Sequence, residues 1–138
     1  MMKGSQAGFE EIEHTADWAL RVWAPDVQAL FVQAAIGMNA LGEITLEKTP
    51  RVSREVDLDD IDLEGLLVGF LSEVLYFGER EDLGFDAFDV VIKDAHLKAK
   101  VTGAGIASRK KEIKAVTYHN LQIVHEDGHF RVEIVFDV

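Results

Sequence analysis

The period of hydrophobicity changes along this chain, and that change restricts its fold more than any other feature. In "DLEGLLVGFLSEVLYFGE", Leu63, Leu66, Leu67, Phe70, Leu71, Val74 and Leu75 recur at helical spacing, with Asp62 or Asp60 as cap. A second stripe, Val27, Leu30, Phe31, Ala34, Ala35 and Met38, follows "AP" and a capping Asp26, and Gly42 is its expected stop. Both stripes read as core-facing rather than as cofactor pockets. Elsewhere apolar residues alternate with period two: Trp18, Leu20 and Val22; Val52, Val56 and Leu58; Phe88, Val90 and Ile92; Leu97, Ala99 and Val101. Strand, helix, strand, helix and then several strands predict an α+β domain, with two main helices on one face of a largely antiparallel sheet.

At 138 residues and 48% hydrophobic content, one domain over 1–138 can bury a core. There is no cysteine, which excludes disulfides and thiolate metal sites. No stretch approaches the roughly 20 apolar residues that span a bilayer, and "MMKGSQAG" lacks a signal peptide's apolar run, so a soluble, cytoplasmic protein is expected. A net charge of −11 argues against wrapping nucleic acid by electrostatics alone. Charge is nevertheless uneven: residues 93–114 hold seven of the fourteen Lys and Arg, giving about +5 there and −16 elsewhere. "TGAGIAS" in this basic stretch reads as a flexible loop, and its glycine spacing is too short for a nucleotide-binding fingerprint.

The C-terminal segment carries the chemistry. Asp127-Gly128 predicts a two-residue hairpin turn pairing Glu126 with His129 and His125 with Phe130. Extended along the strand, that register sets His119 opposite Phe136, Tyr118 opposite Asp137 and Thr117 opposite Val138, with Lys114 three residues beyond Thr117, at most about 10 Å along the chain. Asp137 then faces away from the core, as does Asp17 if Trp18, Leu20 and Val22 face inward. Should the first and last strands be neighbours, Asp17, Asp137 and the carboxylate of Val138 would form an all-oxygen cluster suited to Ca²⁺ or Mg²⁺. His14 could orient an acidic ligand from behind or make only a turn hydrogen bond. His119 reads as a partly buried structural histidine, and His96, His125 and His129 show no zinc spacing. Lys98 and Lys100 read as a solvated strand face.

"FEEIEHTADWALRVWA", the helix "LEGLLVGFLSEVLY", "EIKAVTYHNLQI" and the terminal "FDV" together resemble the archease family, in order and over nearly the whole chain. The resemblance implies strand-helix-strand-strand modules, one inserted into another. It implies a non-catalytic cofactor of the GTP-dependent, RtcB-type tRNA-splicing RNA ligase, one that promotes ligase guanylylation and multiple turnover. It also implies a metal ion at the positions matching Asp17, Asp137 and Val138, and a role in ligase activation for Lys114 of "KAVTYH". Two places depart from the family pattern: Trp18, where a smaller aliphatic residue is typical, and the Gly-rich, basic "TGAGIASRKKE". The competing classes are a metal-dependent phosphoester hydrolase using the acidic cluster and a chaperone-like interaction module.

Overall fold

Asp26 and Asp62 start the two helices as expected. In the computed structural model, which describes residues 6–12 and 18–138, the Asp26 carboxylate accepts the Ala29 N–H at 2.8 Å and opens α1 (Val27–Gly42). The Asp62 carboxylate accepts the Gly65 N–H at 2.8 Å and opens α2 (Leu63–Glu81). Each satisfies an N–H that the first helical turn leaves without a partner. Gly42 is the last residue of α1, and the left-handed residue that ends it is Glu43, at φ 50°.

The strands divide into two antiparallel sheets, where one was expected. In the first, β1 (Gly8–Ile12), β2 (Trp18–Ala24), β9 (His129–Asp137) and β7 (Ala115–Val116) lie in that order, and β8 (Val124–Glu126) also pairs with β9. In the second, β6 (His96–Ser108) is flanked by β4 (Val52–Asp59) and β5 (Leu83–Lys93), and β3 (Thr45–Leu46) pairs with its far end. α1 packs against strands of both sheets: Gly37 lies close to Leu20 and Phe9 of the first. Toward the second, the Asn39 side-chain amide donates to the Phe85 carbonyl at 2.6 Å, and the Ile92 N–H donates to Gln28 Oε1 at 2.9 Å. The expected stripes form the core, with Leu30, Phe31, Leu66, Leu67, Phe70 and Leu71 fully buried. Phe31 and Phe70 join the helices with ring centroids 6.1 Å apart. Truncating either phenylalanine would cost about 3–5 kcal/mol. Among the described residues, no helix is long and apolar enough to cross a membrane.

Two expectations fail for identifiable reasons. "TGAGIAS" is not a loop; it is the second half of β6. Its glycine is there because β5 passes very close: a Cβ on Gly103 would lie 1.8 Å from the Gly84 carbonyl oxygen. The hairpin register also fails away from its turn. Asp127 and Gly128 adopt φ 53° and 77°, and Glu126↔His129 and His125↔Phe130 pair as expected. Residues 118–123 then leave the ladder, because the Ile123 N–H donates to Glu64 Oε2 of α2 at 2.9 Å and Asn120 turns the chain at φ 51°. The ladder resumes three residues out of the expected register, with Ala115 opposite Asp137 and Val116 opposite Phe136. His119 is therefore exposed, not set against Phe136.

On the outer face of the second sheet, Lys98 and Lys100 are exposed as expected. His96 lies between two carboxylates, its Nε2 2.9 Å from Asp57 and its Nδ1 hydrogen-bonded to Asp59. The Asp59 hydrogen bond, aided by the charges of Asp59 and Asp57, raises the imidazole pKa above its ordinary 6.5. A raised folded-state value means the contact stabilises the fold fully below the unfolded pKa and is lost as pH rises through the folded one. An NMR titration should place the His96 midpoint above 6.5, and Asp59→Asn should lower it; a midpoint unchanged by the substitution contradicts the pairing. Gly103→Ala should lower stability to chemical denaturant by about 2 kcal/mol or more, since backbone must move to admit the methyl group.

Candidate functional site

The pairing of β2 with β9 sets the site. Trp18 opens β2 opposite Phe136, and the ladder runs on to Ala24 opposite Phe130. Alternation along β9 buries Val132, Ile134 and Phe136 and turns Arg131, Glu133 and Asp137 outward. Asp137 therefore faces solvent, as expected, whatever strand lies beside it. Val138 is also exposed. The Asp137 side chain makes no hydrogen bond or salt bridge with the described residues. Asp17 and His14 lie outside the described residues.

Lys114 is closer to this end of β9 than the expected register allowed. Its backbone N–H donates to the Asp137 carbonyl at 2.7 Å, next to the Ala115↔Asp137 pair. The side chain is exposed and forms no salt bridge among the described residues. Upstream, residues 109–114 form a basic strap pinned at several points. The N–H groups of Lys110 and Lys111 both donate to the Gly42 carbonyl at 3.1 Å, and the two ammonium groups lie 3.7 and 3.9 Å from the Glu43 carboxylate. The Lys111 ammonium also sits 3.6 Å from the centroid of the Trp18 ring. A cation over an indole face is attracted by the ring quadrupole. Trp18 and the basic segment, the two departures from the family pattern, are thus contact partners. Nothing in the sequence beyond the basic run pointed to Lys111.

For a cation, the donor chemistry is uniform. Asp137 presents carboxylate oxygens, the ligand type of hard divalent ions, with no thiol or imidazole beside it. Among the described residues, no three His, Asp or Glu side chains gather at metal-binding distance; the expected cluster includes Asp17, which is not one of them. The Asp137 carboxylate thus fits Ca²⁺ or Mg²⁺ in kind. Beneath the strap, between the end of α1, α2 and the second sheet, lies a cleft of about 360 Å³.

The Trp18–Lys111 contact can be measured directly. A double-mutant cycle of Trp18→Leu and Lys111→Ala in urea unfolding should give a coupling of about 0.5–1 kcal/mol. A coupling of zero would mean that the indole contributes nothing to holding the strap.

Comparison with known proteins shows the family and the fold. The family signature of the archease protein family matches residues 9–138. The chain is 34% identical to the archease of Methanopyrus kandleri over 138 residues, covering 94% of this chain and 99% of that one. It is 31% identical to the archease of Sulfurisphaera tokodaii, covering 94% and 98%. The solution structure of protein 1598 of Methanobacterium thermoautotrophicum superposes with a TM-score of 0.70 at 26% identity, covering 95% and 99% of the two chains. A crystal structure from Thermotoga maritima, described as an archease and possible chaperone, shares the fold with a TM-score of 0.71 at 22% identity, covering 94% and 96%. On the matched family signature and these identities, the chain belongs to the archease family.

Proposed function

We propose that this chain is a non-catalytic protein cofactor of the GTP-dependent, RtcB-type tRNA-splicing RNA ligase, acting in the cytoplasm to promote ligase guanylylation and repeated turnover. The observation that carries the proposal is the 2.7 Å hydrogen bond from the Lys114 N–H to the Asp137 carbonyl. It holds an exposed lysine beside exposed carboxylates at one tip of the molecule, the two kinds of group that the family resemblance assigns to ligase activation.

In this reading Asp17, Asp137 and Val138 would hold a divalent cation, Ca²⁺ or Mg²⁺, with His14 orienting an acidic ligand from behind. When bound, the ion offsets the mutual repulsion of the carboxylates and fixes the end of β9. Lys114 is the group that meets the ligase's substrate. An ammonium is a compact point charge, and its place at the rim lets it approach a phosphate whose charge grows as the guanylyl group is transferred to the ligase histidine. The backbone hydrogen bond to Asp137 limits where the Lys114 side chain can originate, so the ammonium approaches the phosphate from a defined direction. RNA contact, where it occurs, is then indirect, through the ligase.

A reconstituted ligation assay with the same organism's ligase tests this. Wild-type protein should raise both guanylylation and the number of turnovers, and Lys114→Ala or Asp137→Asn should remove most of that gain. Losing one charge-assisted phosphate contact is worth about 1.5–3 kcal/mol, roughly tenfold or more in rate. Full stimulation by both variants would overturn the role of the tip and leave a chaperone-like adaptor. Phosphoester turnover by the purified protein without ligase would favour a hydrolase. A chelator that removes divalent ions from this protein before mixing should reproduce the Asp137→Asn defect.

A further inference from the structure

The cleft beneath the basic strap shares Lys114 with the tip, but the rest of its lining has no role in the chemistry proposed there. Its floor is aliphatic, lined by Ile44, Val74, Leu75, Ile106 and Ile113. Gly78 keeps the α2 side open: a Cβ there would meet its nearest neighbours, the Leu83 carbonyl, Arg109 and Ile106, only at 3.5–3.7 Å, so a longer side chain would enter the cleft. The rim is mixed but basic on balance, with Arg109, Lys111 and Lys114 against Glu79 and Glu112. Arg109 is exposed and forms no salt bridge among the described residues.

Charge selects the occupant. The strap that forms this rim, residues 109–114, carries four cationic side chains and one acidic one, +3 in a chain of net −11, with Glu43 and Glu79 beside it. An acidic partner is repelled by most of the molecule and attracted here, which focuses its approach on the rim. The floor suits an aliphatic side chain, since apolar anchors seated in a pocket and surrounded by polar contacts supply most of the energy of small interfaces. A nucleotide would find no aromatic side chain for its base among the described lining residues.

We propose that this cleft is a docking site for a segment of a partner protein that inserts a leucine-sized apolar side chain and flanks it with carboxylates. The interaction needs no cation at the tip and no phosphate chemistry, so it stands or falls separately from ligase activation.

The test uses the full chain with labelled isoleucine methyl groups and a blocked hexapeptide, Asp-Glu-Leu-Leu-Asp-Glu, as probe. The peptide should shift the methyl signals of Ile44, Ile106 and Ile113 saturably and leave Ile61, which is 93% exposed, unmoved. Arg109→Glu should weaken that binding about tenfold and improve binding of Lys-Lys-Leu-Leu-Lys-Lys. Gly78→Leu, which fills the cleft from α2, should abolish the shifts; should that variant fail to fold, the exposed Arg109→Glu substitution still decides the question. Absence of saturable cleft shifts with the acidic peptide, an equal response of the wild-type protein to the basic one, or GTP moving the same methyl groups in preference to the peptide would overturn the proposal.

Discussion

The antiparallel pairing of β2 with β9 is the constraint on which the rest of the molecule depends. It joins residues more than a hundred positions apart, as the Arg21–Glu133 ion pair across it illustrates. That pair is exposed, with a further contact from Arg21 to Glu10, and adds little energy. The ladder's stability comes from the inner face, where Leu20, Val22, Ile134 and Phe136 are buried against the helices. Pairing at such separation closes a long loop before native contacts can compensate for the lost entropy, so this ladder is expected to form late in folding. Lys114 and Asp137 are therefore brought together only when the sheet forms.

Much of this architecture was legible because it depends on local chemistry. Asp26 and Asp62 cap their helices through an interaction spanning three residues, and Asp127-Gly128 fixes its turn through backbone preferences alone. The outward direction of Asp137 follows from alternation within β9. What could not be read depends on contacts between distant elements. Glu64 of α2 captures the Ile123 N–H and draws residues 118–123 out of the ladder, which no pattern near the hairpin announces. Gly103 looked like loop flexibility and is instead a close approach of two strands. The placement of Lys111 over Trp18 joins two segments that the sequence keeps 93 positions apart. The expected place of Asp17 stands on strand alternation and the family resemblance and that of His14 on its sequence position alone, since both lie outside the described residues.

The strap of residues 109–114 links features that would otherwise be independent. Its hydrogen bonds reach the end of α1 at Gly42 and the end of β9 at Asp137, and its side chains form the rim of the cleft. A change at any of these anchors is felt at the others, because the segment is too short to absorb a displacement within itself. Its positive charge is also set into an acidic body, which concentrates the attraction for anionic groups on one side of the molecule.

The contacts from Gln28 and Asn39 of α1 to the backbone of β5 have a consequence for solubility. An unpaired strand offers its N–H and carbonyl groups to any other extended chain, and that is how sheets recruit neighbouring molecules into aggregates. Here two amide side chains on a helix occupy the Ile92 N–H and the Phe85 carbonyl, near the two ends of the strand. Partial loosening of α1 would unmask that ladder while leaving the second sheet intact, so self-association would begin at β5 well before the protein is globally unfolded.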